Sequence, residues 1–298
     1  MRKSSTAPLC LHKSSTAPSP LRESSSTFES EQAIQYKKGI VILMKRIKLI
    51  VSYDGTNYCG WQIQPNGVTI EEVLNHTLSK LTGEEIKVIG ASRTDAGVHA
   101  LGNVAVFDTN STIPPDKIYL ALNQKLPKDI VIVESSEVAR DWHPRYQSSI
   151  KIYEYYILMG EVPDPTKRFT HCFTSHPLDV NKMKEAVGYF VGEHDFAEFT
   201  RSESLEKNTI RTIYKADLRQ EGNVLVFEFE GNGFLYNMIR MMVGLVMHVG
   251  RGSCPPEVVK EQLENARRID SPEYGKSMKL TAPPQGLILK KITYGAHP

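Results

Sequence analysis

Apolar and polar residues follow each other along the chain in patterns that predict strands and helices in turn. Lys45–Tyr53 (KRIKLIVSY) is rich in β-branched residues and predicts a strand. Thr69 and Glu72 form a capping box at the start of a predicted helix, which Gly83 can end in the left-handed conformation. The helix has one apolar face, made of Ile70, Val73, Leu74, Leu78 and Leu81.

Similar patterns continue to the end of the chain and predict a fold of the α+β class. Strands are predicted at residues 87–91, 103–107, 130–133, 151–158, 210–218, 224–230 and 287–294, and helices at 116–126, 180–191, 234–249 and 256–268. The sequence QEGN at residues 220–223 is typical of an antiparallel hairpin. Hairpins mixed with helices indicate α+β architecture, and the β-α-β-β-like order in both halves indicates two units of similar type.

Residues 1–43 differ from the rest of the chain in composition. KSSTAP occurs at residues 3–8 and again at 13–18, and Ser, Thr and Pro dominate. Such a segment buries too little apolar surface to offset the entropy of ordering, so we predict a disordered tail. It could be an organelle transit peptide, a flexible arm or an upstream extension of the reading frame. We favour the extension, with the native start at Met44, because the ordered pattern begins directly after that residue.

The composition is that of an average soluble globular protein, with 40% apolar and 23% charged residues. The net charge of +2 does not by itself indicate a polyanionic partner, which would need a local basic surface. The four cysteines include no CxxC pair, which is typical of a reducing cytoplasm and indicates neither a zinc site nor a disulfide framework. The apolar stretch at 238–249 contains Arg240 and His248 and is too short to span a membrane.

The segment SRTDAGVHA, residues 92–100, places a carboxylate on a predicted turn. Asp95 and Gly97 are ordinary turn residues, so a surface turn is one interpretation. A nucleophile is the other. Arg93 is close enough in sequence to favour the ionised carboxylate, and Gly97 would let backbone or a ligand approach closely.

Two further residues are candidates for a functional site. Arg240 lies within an almost wholly apolar helix, and a buried guanidinium needs a carboxylate unless its side chain reaches the surface. Asp95 is one of several candidate partners. Tyr153 either packs in the core or offers its ring to a nucleic-acid base. Six basic residues are candidates for phosphate contacts: Arg145, Lys151, Lys167, Arg168, Arg201 and Arg211.

Motifs of several other enzyme classes are absent from the sequence. No HExxH or paired histidines indicate a metal site, no P-loop or GxGxxG opens a helix, and no nucleophile elbow presents a serine. We therefore predict chemistry without a metal or a bound nucleotide cofactor.

These segments together resemble the TruA-type tRNA pseudouridine synthases over residues 44–294. SRTDAGVHA is similar to the catalytic motif of that family, and YDGTNYCGWQ at residues 53–62 is similar to its first strand and loop. Further segments resemble the family in the expected order: WHPRYQS with KIYEYYI, GEHDFAEF, GNGFLYNMIRMMVG and TAPPQGLIL. Ser92 stands where a glycine before the arginine is common in the family.

The resemblance implies an activity and a role for four residues. The family isomerises uridine to pseudouridine at positions 38–40 of the tRNA anticodon stem-loop and uses neither a cofactor nor a metal. By position in the motifs, Asp95 is the catalytic nucleophile and Arg240 is its ion-pair partner. Arg93 matches the arginine that draws out the target nucleotide, and Tyr153 matches the tyrosine that stacks on the target base.

The resemblance also implies an architecture and partners. Two ferredoxin-like α+β domains of the pseudouridine synthase fold, around a mainly antiparallel sheet, would span residues 44–148 and 149–298. We expect a cytoplasmic homodimer that binds the tRNA anticodon stem-loop and has no association with membranes.

Two other functions compete with the synthase. One is a non-catalytic protein that binds RNA stem-loops on the same scaffold. The other is a two-carboxylate nucleoside hydrolase, with Asp95 paired to Asp195 or Glu198, which would release free base and consume water. The spacing demands no second acid, and the combination of Asp95, Arg240 and Tyr153 favours the synthase.

Overall fold

A computed structural model describes residues 44–200, 208–264 and 280–295, together with the backbone of two short strands at 35–37 and 40–42. Most of the predicted tail, the end of the predicted helix at 265–268 and Arg201 lie outside the described residues.

The described chain is a mixture of strands and helices, as the sequence predicts. Twelve strands occur in it: β1 Gln35–Lys37, β2 Ile40–Ile42, β3 Lys45–Tyr53, β4 Ile89–Gly90, β5 His99–Thr109, β6 Ile130–Val138, β7 Ser149–Met159, β8 Cys172–Thr174, β9 Gly192–Asp195, β10 Ile210–Glu221, β11 Val224–Gly231 and β12 Leu287–Tyr294. Five α-helices occur there as well: α1 Ile70–Thr82, α2 Ile118–Asn123, α3 Val180–Gly188, α4 Met238–Gly250 and α5 Val258–Glu264.

Ten of these strands form one continuous sheet in the order β6-β3-β5-β12-β7-β11-β10-β9, with β4 beside β5 and β8 beside β7. All neighbours are antiparallel except β5 with β12 and β7 with β8. The closing strand of the chain therefore lies between the two halves of the sheet. It pairs with β5 on one side and with β7 on the other, which brings the end of the SRTDAGVHA segment close to Tyr153.

One hydrophobic core contains residues from both halves of the chain and covers the sheet face on which Tyr153 and Tyr155 lie. A smaller cluster of Leu158, Val224 and Val226 is separate from it. The α+β prediction is confirmed. The division into domains at residues 148 and 149 stays a prediction, because the sheet runs through both halves without interruption.

The element boundaries agree best where a local signal marks them. The strands predicted at 45–53 and 287–294 are found as predicted, and α1 begins after Thr69, whose side chain accepts a hydrogen bond from Glu72 N. Gly83 ends this helix at φ 72°. The helix predicted from residue 234 begins instead at Met238, because Asn237 adopts the left-handed conformation (φ 60°) and breaks the helical path.

Candidate active site

Asp95 lies on a tight turn that leads into β5. Val98 N donates to Asp95 O at 3.1 Å, and Gly97 between them has φ 77°, as the third position of a type II turn requires. A Cβ atom on Gly97 would meet the ring of Pro284 at 3.1 Å. The turn and the close approach of Pro284 therefore both account for a glycine at position 97, and our expectation that it leaves room for a ligand stays a prediction.

The loop between β3 and α1 holds this turn from the other side. A Cβ on Gly55 would lie 2.0 Å from Val98 O, and one on Gly60 would lie 2.6 Å from Thr94 O. Trp61 N also donates to Thr94 O at 3.0 Å. The glycines of YDGTNYCGWQ thus let two backbone segments approach closely, and the position of the Asp95 turn is set by backbone contacts.

Arg240 pairs with Asp95, although 145 residues separate them. Arg240 Nη1 lies 3.0 Å from Asp95 Oδ2, and each side chain is only 14% exposed. Arg240 Nε donates to Ala282 O at 2.8 Å, and Nη1 also donates to Asn237 Oδ1 at 2.7 Å. A guanidinium at this distance favours the ionised form of a carboxylate.

Helix α4 carries Arg240 to this place, and two features hold the helix there. Gly244 packs so closely that a Cβ would lie 1.3 Å from Leu280 O. Ala282 N donates to Arg240 O at 2.9 Å, which ties the first turn of the helix to the segment before β12.

Tyr153 is the third candidate residue beside the Asp95 turn. Its side chain is buried (5% exposed), its hydroxyl shares a hydrogen bond with Ser92 Oγ at 2.8 Å, and its ring meets Phe234 edge to face at 5.2 Å. Burial raises the pKa of Tyr153 to about 12, and the charge of Asp95 adds to that rise, whereas the bond to Ser92 opposes it. Tyr153 is therefore a neutral phenol with one fixed orientation.

A second hydrogen-bond network lies beneath the turn. Tyr53 and Thr94 share a bond between their hydroxyls at 2.7 Å, and Asn103 Nδ2 donates to both Tyr53 Oη (3.3 Å) and Ser92 O (3.0 Å). Buried polar groups stabilise a unique arrangement when all of them are satisfied. The side chains of β3 and β5 thereby fix the segment on both sides of Arg93.

Three of the four predicted site residues, Arg93, Asp95 and Tyr153, line one cleft of about 1430 Å³. Arg240 is not in the cleft lining and is joined to the cleft through its bond to Asp95. Arg93 is exposed there and makes no ion pair with any residue that the structure describes. The other cleft cations among the described residues are Arg145, Lys151 and Arg211. Lys167 and Arg168, which we also proposed for phosphate contacts, are not among the residues that line it.

Asp95 is the one carboxylate among the described residues of the cleft lining. Asp195, a candidate second acid of a hydrolase, instead accepts hydrogen bonds from Ala197 N and Thr209 Oγ1 outside that lining. Within the described residues no cluster of three His, Cys, Asp or Glu side chains is arranged to hold a metal ion. None of the helices described is long and apolar enough to cross a membrane.

Three features of the site escaped prediction from the sequence. The hydrogen bond between Ser92 and Tyr153 has no signal in the sequence. The contact of Pro284 with the turn and the role of Asn237 beside Arg240 were not expected either. Asn237 carried the one available signal, because asparagine ahead of an apolar helix is a common helix boundary.

The family model described as tRNA pseudouridine synthase matches residues 49–147 and 186–295, which include Asp95 and Arg240. The chain belongs to this tRNA pseudouridine synthase family. It is thus an isomerase that makes pseudouridine, and the predicted fold and enzyme class are confirmed.

Curated relatives support the same assignment. The chain is 45% identical to a tRNA pseudouridine synthase A of Thermoanaerobacter sp. (strain X514) and to one of Acetivibrio thermocellus, in each case over 84% of this chain and 100% of the relative. Among solved structures, an archaeal box H/ACA sRNP Nop10–Cbf5 complex has a chain that is 13% identical, with a TM-score of 0.31. The superposition covers 67% of this synthase and 44% of that chain.

Proposed function

We propose that this synthase isomerises uridines 38–40 in the anticodon stem-loop of tRNA, with Asp95 as the nucleophile. The observation that carries the assignment of Asp95 is its position as the one carboxylate among the described cleft residues, paired with the buried Arg240. A hydrolase with two carboxylates would need a second acid there.

The reaction needs only rearrangement of bonds. The N1–C1′ bond breaks, the uracil turns, and C5 joins C1′; C5 loses a proton and N1 gains one, so nothing is consumed. An ionised Asp95 can act at base C6 or at the sugar, by attack at C1′ or by removal of a 2′ proton. Each route requires a charged carboxylate in a closed pocket, where burial alone would raise its pKa. We assign the opposing effect to Arg240.

Arg93 and Tyr153 are proposed to place the base. A base within a stem-loop must leave its stack before it can react, which costs a few kcal/mol. Arg93 is exposed in the cleft and can enter the space that the base leaves, while the ring of Tyr153 can stack on the extruded base. Arg145, Lys151 and Arg211 are proposed to contact the phosphate groups, which would position the RNA without reading its sequence.

We further propose that the synthase acts in the cytoplasm as a homodimer and consists of two α+β domains, at 44–148 and 149–298. The non-catalytic RNA-binding alternative is disfavoured by the buried Asp95–Arg240 pair, because a binding surface gains nothing from a buried charge of that kind.

The test uses tRNA transcripts with tritium at uracil C5, incubated with the wild-type enzyme and with Asp95→Asn. Formation of the C5–C1′ bond must release the tritium to water. We expect release by the wild type and none by the variant, with RNA binding retained. Binding without release by the wild type would favour the RNA-binding protein, and free labelled uracil would favour the hydrolase.

A further inference from the structure

Asn237 immediately precedes helix α4 and lines the cleft. Its side-chain oxygen accepts a hydrogen bond from Arg240 Nη1 at 2.7 Å. A guanidinium can only donate, so the orientation of this amide is settled: Oδ1 faces Arg240, and the donor Nδ2 lies at the other end. The same Nη1 binds Asp95 Oδ2 at 3.0 Å, so the amide lies beside the proposed nucleophile.

Asn237 Nδ2 is buried, and it has no hydrogen-bond partner among the residues that the structure describes. The residue as a whole is 6% exposed. Buried polar groups are nearly always hydrogen-bonded, and each exception needs an explanation. No other described side chain is in this situation.

Asn237 also adopts an unfavourable backbone conformation. It is the one residue other than glycine with positive φ in the described chain (φ 60°, ψ 2°). Backbone strain of this kind persists where the surrounding structure enforces it, often at functional sites. An unsatisfied buried donor and a strained backbone thus coincide at one residue, in contact with the Asp95–Arg240 pair.

We propose that Asn237 Nδ2 donates a hydrogen bond to a carbonyl oxygen of the target uracil during the reaction. This inference rests on the proposed function of the Asp95 site and names a further residue that touches the substrate. A neutral N–H group suits a carbonyl acceptor, and uracil carries two of them, at C2 and at C4.

The bond would strengthen as the reaction proceeds. When N1–C1′ breaks, its electron pair stays with the base, and the negative charge spreads from N1 to both carbonyl oxygens. If Asp95 adds to C6 instead, the charge moves through C5 to the oxygen at C4. In either case a donor that is already in place stabilises the developing charge, and the amide keeps its proton throughout.

The test is a coupling cycle between enzyme and substrate. Asn237→Gly removes the amide and suits the positive φ. It is assayed with tRNA that carries uridine, 2-thiouridine or 4-thiouridine at the target position, because sulfur is a poorer acceptor than oxygen. With uridine we expect kcat to fall about 100- to 1000-fold, as for loss of one donor to a developing oxyanion, with KM changed less than threefold.

The decisive readout is the effect of sulfur in each enzyme. Intrinsic effects of sulfur on the base are the same for both enzymes and cancel. We expect one of the thio substitutions to slow the wild type at least about tenfold more than it slows Asn237→Gly. Additive effects with both thio-substrates would show that Asn237 acts only by positioning Arg240 and would overturn the proposal, as would an unchanged kcat.

Two further variants complete the design. Asn223→Gly makes the same substitution in the turn of the β10–β11 hairpin, at the opposite end of those strands from the cleft, and should leave kcat unchanged. Asn237→Asp keeps an oxygen for Arg240 but lacks the donor, and it takes the place of Asn237→Gly in the cycle if that variant does not fold. An inactive wild type would refute the proposed function itself, which is a different outcome from an active wild type without coupling.

Discussion

Replacement of Arg240 by methionine removes one half of the buried ion pair and keeps an unbranched side chain in an apolar helix. Both partners are only 14% exposed, so solvent screens their interaction weakly. Removal of one partner from a fully buried pair costs about 3–5 kcal/mol, because the remaining charge is left uncompensated, whereas an exposed pair is worth about 0–1 kcal/mol. This pair is part-buried, so we expect a loss of about 1–3 kcal/mol in the free energy of unfolding at pH 7.

The loss should depend on pH in a defined direction. A guanidinium beside a carboxylate favours the ionised form of that carboxylate, so the pair contributes stability only while Asp95 carries its charge. The contribution of the pair is therefore present at neutral pH and is lost in acid, where the carboxylate takes up a proton. In the variant no guanidinium opposes protonation of the carboxylate, and a protonated Asp95 leaves no uncompensated charge. The difference between wild type and variant should shrink as pH falls from 7 towards 3.

Urea unfolding at pH 7 and at pH 4 measures both effects, and Arg140→Met at an exposed position serves as the matched control. The double variant Asp95→Asn with Arg240→Met should recover most of the lost stability, since a neutral pair leaves no buried charge. A cost below about 1 kcal/mol at pH 7, or a double variant as unstable as Arg240→Met, would refute a buried, stabilising pair.

Three other predictions follow from the same geometry. Gly244→Ala should lower the free energy of unfolding by about 1–3 kcal/mol or more, as measured in a thermal melt, because the new Cβ would lie 1.3 Å from Leu280 O. In the control Gly188→Ala, the new Cβ would have no neighbour within 4 Å, so the loss should be far smaller. Wild-type protein should lose stability between pH 9 and pH 11, because Tyr153 ionises near pH 10 in the unfolded chain and near pH 12 in the folded protein. Tyr153→Phe should lose about 1–1.5 kcal/mol less over that range. An equal loss in wild type and variant would contradict the raised pKa. Arg93→Gln should lower kcat/KM at least about tenfold without changing the melting temperature, because the side chain is exposed in the cleft; equal activity would remove Arg93 from the mechanism.

Much of the fold can be predicted from the sequence because its signals are local. The β-branched run at 45–53, the cap at Thr69 and the left-handed glycine at 83 each act within a few residues, and the corresponding elements are found at those positions. The α+β class follows from the order of such elements. The motif around Asp95 was recognisable for the same reason, since it is one contiguous segment.

The arrangement of the site was decided by tertiary structure. The sequence indicated that Arg240 needs a carboxylate but left several candidates, and only the packing of α4 against residues 280–282 brings it to Asp95. The insertion of β12 between β5 and β7 is a long-range pairing without a local signal. The approach of Pro284 to Gly97 has no local signal either, because Pro284 lies far along the chain.

Asn237 shows the division most clearly. From its type and position, Asn237 can lie either in the first turn of the apolar helix or just before the helix begins. The local sequence pattern predicts that it lies in the helix. Contacts with Arg240, which in turn is held by Asp95 and Ala282, accompany the left-handed conformation instead. Local propensity thus determined the elements, while contacts between distant segments decided which side chains meet in the cleft, because those contacts exist only once the chain has folded.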